Sequence, residues 1–177
     1  MMAKPRDGGV VLTFEAEEMA YLRAEVGRAA GHLDGGVPQH GADAVRDRLF
    51  PRAYVDPTED RAERDFQSVV HEDLVLAKAT SLGAITTALD GGRARRARTE
   101  VVVVKAELET WISGLNDVRL VLGTTLGVTE GDNDDEHEDA DADEGGRDRP
   151  PVSIERAGYD WLTEVQGLLL AVLMGEA

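Results

Sequence analysis

The chain has 177 residues, a net charge of −16 and no cysteine. One domain's worth of sequence is enough to bury a sizeable core. The absence of cysteine excludes disulfides, thiolate nucleophiles and cysteine-held zinc or iron–sulfur sites together. No run reaches the roughly 18 apolar residues of a membrane span, and the start MMAKPRDGGVVLTF lacks the long apolar segment of a signal peptide. The expectation is a soluble, cytoplasmic protein with no membrane partner. The charge is uneven: Glu130 to Arg149 holds eleven Asp and Glu against two Arg, so the other 157 residues carry only −7.

Val10-Val11-Leu12 follows Gly8-Gly9 and reads as a short strand. A helix is predicted from Phe14 to His32, with Thr13 as N-cap and an apolar stripe of Met19, Leu22, Val26, Ala29 or Ala30, and Leu33. Glu15, Glu17 and Glu18 favour the positive end of its dipole. Gly31 to Gly41 is a glycine-rich loop. Ala42 to Leu49 predicts one or two helical turns, ended by Phe50-Pro51, because the residue before proline avoids the α region. Leu49, Phe50 and Tyr54 are expected to plug the core.

Asp56-Pro57-Thr58-Glu59 is a helix start, with Asp as N-cap, Pro at the first position and Glu at the third. The helix behind it, about thirty residues, carries Phe66, Val69, Val70, Leu74, Ala77, Ser81, Ala84, Ile85 and Ala88 on its predicted inner face, with a bend an option at Gly83. Gly91-Gly92 ends it. Arg93 to Arg98 (RARRAR) reads as a basic loop. Thr99 to Val104, with four consecutive valines, has two open readings. It is a strand pairing with Val10 to Leu12, or the first turn of the next helix.

That next helix, within Glu107 to Thr129, is the most apolar long run. Leu108, Trp111, Ile112, Leu115, Val118, Leu122 and Leu126 follow helical spacing, and Leu120 and Val121 lie off the stripe, so burial from more than one side is expected. Asn116, Asp117 and Arg119 sit in the middle and need partners if buried. Gly123 and Gly127 allow close approach or end the helix. The acidic stretch 130–150 has little to bury and repels itself, which predicts disorder. A last helix starts at Val152 or Ser153. Tyr159, Leu162, Val165, Leu169, Val172 and Leu173 form its stripe, widened by Trp161, Leu168 and Leu170. Trp111 and Trp161 are expected to anchor the core near each other. The fold class that follows is mainly α: a helical bundle of four to five helices, with a two-stranded β-ribbon (10–12 with 99–104) as an option. It is expected to be a single domain, made of 1–129 with 151–177 and interrupted by the insert. An exposed apolar stripe on the last helix would argue for a homodimer.

Candidate sites are few. His71-Glu72-Asp73 cannot converge on one ion, because adjacent helical positions diverge. In the acidic stretch, Asp132, Asp134 and Glu136 have calcium-loop spacing, but His137 stands where glycine is required. Asp139, Asp141 and Asp143 are likewise followed by Glu144. No metal or cofactor site is expected, and no nucleophile, P-loop or dinucleotide motif supports an enzyme. Arg93, Arg95, Arg96 and Arg98 offer phosphate contacts, with a solvated basic loop as the plainer reading. Asn116, Asp117 and Arg119 read either as a polar network locking the bundle or as a partner-binding element.

The run Trp111, Leu115-Asn116-Asp117, Arg119-Leu120, Leu122-Gly123, Leu126-Gly127, Thr129-Glu130 resembles the signature of the actinobacterial domain family of unknown function DUF2017, also called the AosR-type oxidative-stress transcriptional regulators. Leu49-Phe50-Pro51 with Ala53-Tyr54, Asp65-Phe66 through Asp73-Leu74, and Tyr159-Asp160-Trp161-Leu162 with Gln166 agree with it. The resemblance implies a small, mainly helical regulator of transcription, acting through protein partners such as an alternative sigma factor or another RNA polymerase component. Thiol-based sensing of the kind the family implies has no cysteine to act through in this chain. Methionine oxidation at Met19 or Met174 is the remaining side-chain chemistry. Two other readings stay open: direct DNA binding through Arg93 to Arg98, and an adaptor with no role in transcription.

Overall fold

A computed structural model of the chain describes residues 1–6, 8–34, 43–128 and 154–176. The acidic stretch 130–150, its calcium-loop spacings and most of the glycine loop lie outside the described residues. The elements run β1 (Met2–Arg6), β2 (Gly9–Glu15), α1 (Ala16–Gly31), α2 (Ala44–Leu49), α3 (Asp60–Asp90), β3 (Arg93–Arg95), β4 (Arg98–Val104), α4 (Leu108–Leu126) and α5 (Ile154–Met174). The fold is mainly α, but its sheet is larger than a two-stranded ribbon: four antiparallel strands in the order β1-β2-β4-β3.

The four-valine run is a strand. Val103 lies opposite Val10 and Val101 opposite Leu12, so alternate side chains of the two central strands enter the core. Two hairpins widen this pair. β1 folds back on β2, and Arg93–Arg95 folds onto β4 through a two-residue turn at Arg96-Ala97, with Arg96 at a left-handed φ of 57°. Composition hid both outer strands. β1 contains Pro5 and β3 is three residues of RAR, sequences that only edge strands tolerate. The first strand also runs further than Val10 to Leu12. Phe14 is its last inward residue, and α1 starts after Glu15. Glu15, not Thr13, is the N-cap, in a reciprocal capping box with Glu18.

The buried cluster joins Val10, Leu12, Phe14, Val101 and Val103 of the sheet to residues from all the helices except the termini that face solvent. In α3 the predicted inner face holds only in the second half, where Ser81 and Ile85 are buried, joined by Leu82 and Leu89. In the first half Phe66, Val69 and Leu74 are exposed, and Glu63, Gln67 and His71 are buried. The cause is the backbone of the loop beside it. The N–H groups of Ala53 and Tyr54 both donate to Glu63 Oε2, at 3.0 and 2.9 Å, and Gln67 Nε2 donates to Glu63 Oε1 at 2.8 Å. Two backbone N–H groups and the Gln67 amide converge on this one carboxylate, and the three hydrogen bonds hold Glu63 at the inner position. Phe50 and Leu49 do plug the core, with the Phe50 ring 4.9 Å from that of His71. Tyr54 stays at the surface against Phe66. Asp56 caps the single 3-10 turn Pro57–Glu59 ahead of α3 and accepts from Thr58 N at 2.8 Å, which holds its carboxyl below the usual range.

On α5, Leu162, Val165 and Leu169 are buried, whereas Leu168, Leu170 and Met174 face solvent. Trp161 stands edge-on to Phe14 and Tyr21, with ring centroids 6.2 and 6.0 Å away, rather than beside Trp111. No helix among the described residues is long and apolar enough to cross a membrane.

Candidate functional site

The polar residues of the central helix separate into three environments. Trp111 and Leu115 are fully buried, and Leu120 is half-buried. Asn116 points to solvent, so it belongs to no buried network; its position lies between the buried faces of Leu115 and Asp117. Asp117 is buried and accepts a hydrogen bond from Lys78 Nζ at 2.7 Å, which ties α4 to α3. The Lys78 ammonium also stands 5.8 Å from the centre of the Phe50 ring.

Arg119 faces the opposite neighbour, α5. Its Nη1 donates to Gln166 Oε1 at 2.6 Å and its Nη2 to the Tyr159 hydroxyl at 3.2 Å, while Gln166 Nε2 donates back to the Ile112 carbonyl at 3.1 Å. The planar guanidinium suits this double engagement, and its Cζ lies 5.1 Å from the Tyr159 ring centre. Gly123 supplies the room: a Cβ there would stand 3.1 Å from Tyr159 Cε2. One turn further, Gly127 ends the helix at a left-handed φ of 68°, and Val128 N bonds back to the Gly123 carbonyl at 2.9 Å. Arg119, Gly123 and Tyr159 line a surface cleft of about 450 Å³ together with Arg48 and Thr124. Two guanidinium groups and a phenol at its lining match an anionic group of a ligand or partner.

The four arginines form a hairpin rather than a loop, and all are exposed. Arg98 pairs with Glu15 at 2.6 Å and Arg95 with Glu100 at 3.3 Å. Arg93 sits opposite Glu100 across the strands, and Arg96 forms the turn.

Sequence reading missed two polar clusters. One is Glu63, Gln67 and His71; their four-residue spacing was the available signal, masked by the apolar residues one position away. The other lies where α1 meets α5. Burial first, and Glu25 next, push the Tyr21 phenol up to about 12, and burial raises the Glu25 carboxyl against the pull of Arg28 at 3.3 Å. Among the described residues no three His, Asp or Glu side chains gather as a metal-holding group; His71 turns inward while Glu72 and Asp73 face solvent.

A helical layer packed on one face of a small antiparallel sheet, with its polar residues tying helices together and its cations displayed at the surface, defines a mainly helical domain built around α4. The domain of unknown function DUF2017 matches residues 1–173, and the chain belongs to that family. No curated protein and no solved structure matches it.

Proposed function

We propose that the protein is a non-enzymatic regulator of transcription of the AosR type, acting in the cytoplasm through contacts with a sigma factor or another RNA polymerase component during oxidative stress. The observation that supports it best is the convergence of Arg119, Gly123 and Tyr159 on a surface cleft. These residues come from two separate stretches of the family signature, and a purely structural motif would not need to meet at the surface. With no cysteine in the chain, a thiol-borne redox signal would have to arrive through the partner. Crosslinking in cells followed by mass identification of partners is the test. Recovery of a sigma factor or polymerase subunit is expected, and its absence from well-crosslinked samples overturns the reading.

A direct DNA-binding role is the second reading, favoured by the exposure of Arg93, Arg95, Arg96 and Arg98 on one hairpin. A mobility shift that survives replacement of all four by alanine rules it out. The net charge of −16 opposes it.

A further inference from the structure

The sheet has two unlike faces. Helices cover the inner one. On the outer one the central strands β2 and β4 present Val11, Val102 and Val104, with Val102 54% and Val104 44% exposed. An ordinary solvated face of an antiparallel sheet alternates to polar residues at such positions. The edge strands flank this floor with cations. Lys4 lies directly across from Val11 on one side; on the other, β3 stops opposite Glu100, so Arg93 stands diagonally from Val102, at the end of the floor. Among the described residues Lys4, Arg6 and Arg93 have no ion-pair partner, and a shallow groove of about 510 Å³ runs over the face between Lys4 and Arg95.

We infer that this face is the docking site for an acidic amphipathic helix of a protein partner. At the valines the sheet is three strands wide, β1, β2 and β4, and at about 4.8 Å spacing these span about 10 Å, the width of a helix with its side chains. An apolar stripe on such a helix would rest on Val11, Val102 and Val104, and carboxylates on its two flanks would meet Lys4 and Arg6 on one side and Arg93 on the other. Other occupants fit less well. An extended peptide would add to a sheet edge, but β1 carries Pro5 and β3 has only three residues. Single-stranded nucleic acid would want aromatic side chains for stacking, and among the described residues this face has none. The inference rests on the protein-contact part of the proposed function.

The test uses the full chain labelled with nitrogen-15 and titrated with a synthetic 18-residue peptide designed as a helix with a leucine stripe flanked by glutamates. Amide shifts are expected to concentrate on β2 and β4 around Val11, Val102 and Val104. Affinity should fall at least about tenfold in the Lys4→Glu/Arg93→Glu variant and in Val102→Asp, a change of ~1.4 kcal/mol. These positions are exposed, so the amide spectrum of the free variants should otherwise be unchanged. No binding, shifts centred elsewhere, or equal binding of a version with lysines replacing the glutamates would each overturn the inference. So would a DNA duplex that takes the same face more tightly than the peptide. Peptide binding that appears only when the carboxylates of residues 130–144 are converted to amides would assign the face to the chain itself and overturn it too. Binding here without recovery of any polymerase or sigma component in cells removes the transcription role and leaves the surface standing. Recovery of such a component whose binding is indifferent to Lys4→Glu/Arg93→Glu does the reverse.

Discussion

The Lys78 ammonium donates to Asp117 Oδ1 across 2.7 Å, with only 4% of the aspartate side chain and 19% of the lysine side chain exposed. It joins the middle of the longest helix to the middle of the central one. Removing one partner leaves the other charge buried and alone.

Asp117→Ala should therefore lower stability by about 3 kcal/mol. Replacing both residues with apolar ones, Lys78→Met/Asp117→Leu, should recover most of that loss, because two well-packed apolar side chains need no ionic partner. Thermal and urea unfolding of the three variants measure it. An Asp117→Ala protein as stable as the parent would show that the pair does not hold the bundle.

Arg119 anchors α5 through two side chains that lie 40 and 47 residues further on. Arg119→Ala should cost about 1–3 kcal/mol and leave Gln166 Oε1 and the Tyr159 hydroxyl without their donor. Hydrogen exchange should then quicken in α5 more than in α1 or the sheet. Arg119→Lys should not restore protection, since one ammonium cannot reproduce the forked geometry.

Gly158 on α5 lies directly under the Tyr21 phenol, and a Cβ there would collide with the ring and its hydroxyl. Tyr21 is held edge-on to Trp161. Gly158→Ala should thus destabilise the fold by about 1–3 kcal/mol. Adding Tyr21→Ala to Gly158→Ala should relieve the clash, so that the double variant is more stable than the sum of the single losses predicts.

Neighbouring valines on β4 should behave as opposites. Val103 is fully buried and Val102 is 54% exposed. Val103→Asp places an unpaired carboxylate in the core and should cost more than about 4 kcal/mol or abolish folding. Val102→Asp should fold normally. Circular dichroism and thermal melts distinguish this alternation from the helical alternative for the same residues.

Burial raises the Glu25 carboxyl above its unfolded value. A group with a raised folded pKa stabilises fully below the unfolded pKa, and that contribution is lost as pH rises through the folded one. The protein should thus lose stability from this site as pH climbs out of the carboxylate range toward neutrality. Glu25→Gln should melt higher than the parent at pH 7, and the gap should close on acidification. A gap that is constant with pH would remove burial of this charge as the cause.

How much of this was legible beforehand varies with the element. Gly91-Gly92 as a helix stop is a local effect, and local residues predicted it; Gly127, open between close approach and helix end, ends α4 in the left-handed region, and Asp56 caps the 3-10 turn ahead of α3 rather than α3 itself. Composition could not reveal β1 or β3, because an edge strand needs hydrogen-bond partners more than it needs apolar side chains. Helical periodicity put Phe66 and Val69 inward. The loop at Ala53 and Tyr54 reversed that by donating two backbone N–H groups to Glu63. Asn116, grouped with Asp117 and Arg119 by chain position, parts from them because successive residues on a helix are about 100° apart. Of the site, Asp117, Arg119, Gly123 and Tyr159 were nameable from the chain; Lys78, Arg48 and the division between α3 and α5 were not.

By itself the sequence determined the family, the mainly helical class, the stripe that buries α4 and the lack of any thiol chemistry. All of these follow from residue types and short-range spacing. The tertiary structure decided which polar side chains are paired and which face solvent. It sent Asp117 to Lys78 and Arg119 to Gln166 and Tyr159, and it left one valine-floored, cation-rimmed face of the sheet uncovered. These depend on which segments meet across tens of residues. The cost of an unpaired buried polar group, rather than local preference, selects among those meetings.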